Sequence, residues 1–100
     1  MSGARIVKRQ QDELRVEGDL VFETVGPLLS EGVSLFGGGS RITIDLAGVG
    51  AIDSAGVALL LEWLSRARER GCSIAFRDVP DALWRIARLS NLDSLLPVAD

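Results

Sequence analysis

Histidine and tyrosine are absent from this sequence of 100 residues, and cysteine occurs once, at Cys72. Without histidine the chain cannot build a Ser-His-Asp triad or a histidine metal site, and one cysteine cannot assemble a zinc or iron–sulfur site. A lone cysteine also forms no internal disulfide, which is typical of proteins kept in a reducing compartment. These absences predict a protein that is not an enzyme and that holds no metal or other cofactor.

Long hydrophobic runs are missing as well, since the longest, 56–61, falls far short of the ~20 residues of a membrane-spanning helix. No apolar run follows Met1, which predicts that there is no signal peptide. The run 37–39 is Gly-Gly-Gly without a following Lys-Ser/Thr, so it indicates a turn rather than a phosphate-binding loop. The net charge of −3, with basic and acidic residues interspersed, disfavours nucleic acid or an anionic membrane as the main ligand. We expect a cytoplasmic protein that would reach a membrane only through a partner.

Strand and helix patterns alternate along a single predicted domain, 1–100. The order ββαβαβα predicts an α/β fold in which the strands 41–46 and 73–77 are parallel neighbours. Pro27 is expected in the first turn of its helix, where a missing N–H is harmless. The four leucines Leu89, Leu92, Leu95 and Leu96 are expected to close the core. The predicted elements are strands at 5–9, 13–18, 41–46 and 73–77, helices at 22–36, 55–70 and 80–90, a loop at 47–52 and a short helical tail at 91–96.

Asp53 and Ser54 stand immediately before the strongest predicted helix. Either side chain can accept a hydrogen bond from a free N–H there, and the positive end of the helix dipole favours an anion. A phosphate on Ser54 would be stabilised by the same amides, whereas the simpler interpretation is an N-cap. Gly56 is small enough for the chain to pass close to the helix start or to a partner's backbone. This segment is therefore predicted to be either a capped helix start or a contact site.

The central helix has one face that carries Val57, Leu60, Leu61 and Leu64 and should pack on the sheet. Leu59 falls on the opposite face with Ala55 and Glu62, and Trp63 lies on the edge of that face. Apolar side chains beside charges on a water-facing surface suit protein docking, and the alternative is that a neighbouring helix covers them. Glu62 and Arg66, four residues apart, are expected to form a surface ion pair.

The unit 42–61, which reads ITIDLAGVGAIDSAGVALLL, resembles STAS domains, found in bacterial anti-sigma factor antagonists and at the cytoplasmic ends of sulfate transporters. Its specific part is the Asp-Ser/Thr-x-Gly step after a strand that ends in Asp-Leu, here Asp53 to Gly56. The resemblance covers nearly the whole chain in element order. It implies an α/β STAS fold, a mixed sheet with helices packed on it.

Two branches of the family differ in this step. Antagonists carry a phosphorylated hydroxyl residue directly before the glycine, and Ala55 has no hydroxyl at that position, which leaves Ser54 as the hydroxyl available for a phosphorylation switch. The small STAS subunit of Mla phospholipid transporters is similar to this chain in the loop, in the Leu-rich helix start 58–63 and in the segment 86–92. That similarity implies a non-enzymatic subunit that binds the ATPase of an inner-membrane ABC transporter that maintains outer-membrane lipid asymmetry. The expected contact residues are Asp53, Ser54, Ala55, Gly56, Leu59, Glu62 and Trp63, and the alternative partner is an anti-sigma factor kinase.

Overall fold

A four-stranded sheet and three α-helices form the fold in a computed structural model that describes residues 3–10 and 12–99. The predicted domain bounds, 1 and 100, lie outside the described residues. The order ββαβαβα is confirmed. The elements are β1 (Ala4–Gln10), β2 (Glu13–Leu20), α1 (Phe22–Ser34), β3 (Arg41–Ile52), α2 (Ser54–Glu69), β4 (Ser73–Arg77), α3 (Asp81–Leu89) and a short 3-10 helix at Asp93–Leu95.

The sheet is mixed and its strands follow the chain order, β1-β2-β3-β4. β1 is antiparallel to β2, while β2, β3 and β4 are mutually parallel. Ile44 at the centre of β3 is paired with Leu14 on one side and with Phe76 on the other. The predicted parallel pairing of the strands around 41–46 and 73–77 is therefore confirmed.

Alternate residues of the strands form the core on one face of the sheet, as the period of two requires. α1 packs against β1 and β2, α2 packs against β3 and β4, and the two helices contact each other. α3 packs against α2. The strand residues of this core are Leu14, Val16, Leu20, Ile42, Ile44, Leu46, Ile74 and Phe76.

The opposite face of the sheet carries charged side chains joined in ion pairs. Asp45, only 5% exposed, lies near the centre, where its Oδ1 accepts the N–H of Ala47 at 2.9 Å. Its Oδ2 lies 3.6 Å from Nη1 of Arg15 and 3.4 Å from Nη2 of Arg77. Burial acts to raise the pKa of Asp45, but the Ala47 amide and the two guanidinium groups outweigh it and hold the pKa below its usual value.

β3 is longer than the sequence indicates, and the prediction of a loop at 47–52 is wrong. The strand continues beside β2, with Gly48 paired with Glu17 and Ile52 paired with Leu20. Alanine and glycine have low strand propensity, which is why this stretch reads as a loop. A Cβ at residue 48 would lie 3.0 Å from Cγ of Glu17, so the glycine lets β2 lie close and pairing overrides local preference.

α1 departs from its prediction at Pro27. The helix begins at Phe22, so Pro27 lies inside it in the second turn, not in the first turn as expected. Gly26 directly precedes Pro27, and a residue without Cβ relieves part of the clash that normally keeps a residue before proline out of the helical region. The helix starts where it was predicted and continues through Pro27, which is its sixth residue.

The C-terminal leucines are divided between core and surface. Leu96 is buried and Leu92 is partly buried, as expected. Leu89 is 86% exposed and Leu95 is 54% exposed, so their predicted place in the core is wrong. α3 buries its Leu83 and Ala87 side, and Leu89 at its last turn falls outside that stripe.

No helix within the described residues is long and apolar enough to cross a membrane.

Cys72 is buried, and burial raises the pKa of its thiol, so the thiol is held in its protonated, less nucleophilic form.

Candidate functional site

The junction between β3 and α2 is built around Asp53, the single residue between Ile52 and Ser54. Its backbone is extended, and Oδ1 of its side chain accepts the N–H of Ala55 at 2.8 Å. Asp53 is therefore the N-cap of α2, the simpler of the two interpretations of this segment. Ser54 is the first residue of the helix, and its side chain is exposed.

The second carboxylate oxygen of Asp53 reaches the other helix. Oδ2 accepts the N–H of Phe22, the first residue of α1, at 3.1 Å. The N-cap of α1 is Val21, whose side chain contains no acceptor, so the helix start requires an acceptor from elsewhere. One carboxylate thus satisfies free amides at the starts of two helices.

A threonine and a second aspartate hold the same region. Oγ1 of Thr24 donates to the carbonyl O of Asp19 at 2.7 Å and accepts the N–H of Val21 at 3.0 Å. Oδ1 of Asp19 accepts the N–H of Ala51 at 2.9 Å. The end of β2, the start of α1, the end of β3 and the start of α2 are therefore tied together at one corner of the domain.

Residue 56 has to be a glycine because other parts of the same chain pass close to it. It is buried, and a Cβ at this position would lie 2.6 Å from the carbonyl O of Leu20 and 3.3 Å from Cγ1 of Ile52. Of the two predicted reasons for a glycine here, close passage within the chain is the one observed.

The prediction that Leu59 and Trp63 face water is wrong. Leu59 is 4% exposed and Trp63 is 1% exposed, because α1 lies across this side of α2. Nε1 of Trp63 donates to the carbonyl O of Leu29 at 3.3 Å, and its ring meets Phe36 edge-on with centroids 6.4 Å apart. The periodicity of α2 identifies two apolar sides but not the neighbour that covers the second. The alternative that a helix covers these residues is the correct one.

A shallow groove runs between α1 and α2 beside the Asp53 junction, with a volume of ≈ 350 Å³. Phe22 lines the groove and is 77% exposed. Ala58 is exposed on the α2 wall, while Glu62 bonds Arg66 at 2.9 Å as predicted. The lining residues are Phe22, Val25, Gly26, Leu29, Ala55, Ala58, Leu59 and Glu62.

Three predicted contact residues, Ala55, Leu59 and Glu62, lie in this groove, and Ser54 is exposed at the start of α2 next to Ala55. Asp53 and Gly56 form the supporting junction, and Trp63 lies beneath it. The sequence does not single out Phe22 and Val25 on the α1 wall, because apolar residues at helical spacing indicate a helix and not which neighbour they face. Only the pairing of the two helices turns these residues toward a shared groove.

The groove is apolar and shallow, so it suits contact with a protein surface rather than chemistry on a small molecule. No group of three or more metal-ligating side chains occurs among the residues that the structure describes.

Comparison with known proteins gives a family match over most of the chain. Residues 6–97 match the family described as Mlab, STAS domain. The intermembrane phospholipid transport system binding protein MlaB of Escherichia coli (strain K12) is 37% identical over 49 residues, and the same holds for that of Shigella flexneri. The match spans 49% of this chain and about half the length of these curated relatives.

Solved structures agree in fold at low sequence identity. The anti-sigma factor antagonist SpoIIAA in its unphosphorylated form superposes with a TM-score of 0.69 at 12% identity, over 97% of this chain and 88% of that chain. A STAS domain protein from Planctomyces limnophilus gives a TM-score of 0.70 at 18% identity, over 99% of this chain and 92% of that chain. At these identities the likeness concerns the fold alone.

Proposed function

The chain belongs to the STAS domain family of the MlaB type, and on that basis we propose that it is an accessory subunit of a Mla-type phospholipid ABC transporter. In this role it binds the ATPase subunit and stabilises it or tunes its activity, without catalysing a reaction itself. It is cytoplasmic and lies at the inner membrane through that partner. The groove between α1 and α2 is the observation that carries this proposal, because it offers apolar surface beside the family's loop.

The proposed docking face consists of Phe22, Ser54, Ala55, Ala58 and Glu62. An exposed aromatic side chain next to small residues is the arrangement of an interface anchor, because the partner can bury the ring and approach the helix closely. The remaining predicted contacts, Asp53, Gly56, Leu59 and Trp63, support this face from beneath.

The test is the affinity of the purified chain for the ATPase subunit of the Mla-type transporter from the same organism. Leu59→Asp is a poor probe, because it would place a charge in the core and unfold the protein. Ala58→Arg is better, since residue 58 is exposed. We expect binding at least ~100-fold weaker, a loss of about 3 kcal/mol, because the long arginine side chain would block close approach to the helix at residue 58 and bring a charge into the interface.

Ser65→Arg is the matched control, because Ser65 is exposed on the same helix two turns further along. It should bind within about threefold of the wild type. Wild-type affinity for Ala58→Arg would remove the docking face from the proposal.

A second candidate function is that of an anti-sigma factor antagonist switched by phosphorylation of Ser54. It is favoured by the exposed position of Ser54 at the first turn of α2, where the positive end of the helix dipole would stabilise a phosphate. Incubation with the cognate anti-sigma kinase and ATP would then add one phosphate to the wild type and none to Ser54→Ala. An unchanged mass for the wild type would eliminate this candidate.

A further inference from the structure

The hydrogen bond between Asp53 and the Phe22 amide has a consequence for binding that rests on the proposed function. Phe22 exposes most of its ring, but its backbone N–H is held by Oδ2 of Asp53 at 3.1 Å. Val21 offers no side-chain acceptor to α1, so this contact across 31 residues of sequence supplies the acceptor for the first amide of the helix, beside the bonds that Thr24 makes to Val21 and Asp19. Asp53, at the junction between β3 and α2, thereby positions the exposed ring.

We propose that Asp53 is a positioning residue that presents Phe22 as the aromatic anchor of the docking face, rather than a residue that touches the partner. Oδ1 is engaged by the N–H of Ala55 and Oδ2 by that of Phe22, so both oxygens already have partners within the chain. Because the same carboxylate caps α2, it fixes the distance between the ring on α1 and Ala55 on α2. Loss of Oδ2 lets the ring move away from the groove.

Asp53→Ser separates the two tasks of the carboxylate. Serine is as good an N-cap as aspartate, so α2 keeps its acceptor, but its one oxygen on a shorter side chain cannot reach the Phe22 amide as well as that of Ala55. Phe22→Ala removes the anchor, and its ring is too exposed for the loss to unfold the chain. The affinity for the Mla-type ATPase subunit is measured for the wild type, both single variants and the double variant, after far-UV circular dichroism and thermal melting show that each is folded.

We expect Phe22→Ala to weaken binding about 20-fold or more and Asp53→Ser about 5- to 10-fold. In the Phe22→Ala background, Asp53→Ser should have less than about a twofold effect, because its only influence on binding is through the ring. If Asp53→Ser acted only by lowering stability, it would weaken binding equally in the wild-type and Phe22→Ala backgrounds. The coupling between the two variants therefore distinguishes positioning from general destabilisation.

Two results would overturn the inference and leave the docking proposal in place, provided that Ala58→Arg weakens binding as expected. One is that the effects of the two single variants multiply in the double variant, which would mean that Asp53 acts independently of the ring. The other is wild-type binding by Phe22→Ala, which would mean that the ring is no anchor. If Ala58→Arg also binds as the wild type does, the docking face itself is wrong and the inference falls with it.

Discussion

Gly32 lies against the indole of Trp63, and we expect Gly32→Ala to lower the free energy of unfolding. A Cβ at residue 32 would lie 2.5 Å from Nε1 of Trp63 and 2.6 Å from Cε2. The indole has little room to move, since it is buried, bonded to Leu29 and packed edge-on against Phe36. The added methyl group must therefore displace a rigid ring rather than the flexible end of a side chain.

Three contributions decide how much Gly32→Ala lowers the free energy of unfolding. Overpacking of a close-packed core costs about 1 to 3 kcal/mol. Loss of the hydrogen bond from the indole N–H costs about 1 kcal/mol more. Replacement of a helical glycine by alanine raises helix propensity and offsets about 1 kcal/mol of these losses. The net loss is about 1 to 3 kcal/mol, and each kcal/mol lowers the melting temperature of a domain of this size by roughly 4 to 8 °C.

Urea unfolding followed by far-UV circular dichroism measures the loss, and the fluorescence of Trp63 in a Trp84→Phe background reports on the displaced ring. Ser30→Ala is the control, because Ser30 is exposed two residues earlier in α1 and gains only a few tenths of a kcal/mol in helix propensity. If Gly32→Ala is as stable as the Ser30→Ala control, the packing argument is refuted.

Asp45→Asn should destabilise the fold by about 1 to 3 kcal/mol at pH 7, because it leaves Arg15 and Arg77 without their shared carboxylate. The pKa of Asp45 in the folded protein lies below its ordinary value near 4, so this stabilisation is complete at neutral pH and is lost as the pH falls below about 4. The free energies of unfolding of the two proteins should then converge in acid, and a gap independent of pH would contradict the ion-pair account. Leu89→Ser should leave the melting temperature within about 2 °C of the wild type, whereas Leu83→Ser should lower it by 10 °C or more, roughly, since only Leu83 is buried. Equal effects would show that Leu89 is covered in solution.

The parts of the fold that could be predicted are those in which local pattern and tertiary contact agree. The β-branched run of β3 and the amphipathic face of α2 fall into this class, and Gly71, at φ +70, ends α2 as a C-terminal glycine should. The second half of β3 could not be predicted, because its strand conformation comes from β2 alongside it and not from its alanines and glycines.

In the candidate site, too, features that depend on local sequence could be predicted and features that depend on tertiary contacts could not. Asp53 was recognisable as a helix cap from its position before α2, because capping depends on local sequence. The burial of Leu59 and Trp63 depends on where α1 crosses α2, which no periodicity within α2 reveals. Likewise, nothing in the sequence near Phe22 indicates that its amide is bonded to a residue 31 positions away.

The direct passage from β3 through one residue into α2 has a consequence for the rate at which the proposed docking face would associate with a partner. With Asp53 hydrogen-bonded to the starts of both α1 and α2, the proposed docking face is ordered before it meets a partner. A preorganised surface loses little conformational entropy on association, and its association rate is not limited by a preceding rearrangement. The observed rate constant in stopped-flow mixing should therefore rise linearly with partner concentration and show no plateau.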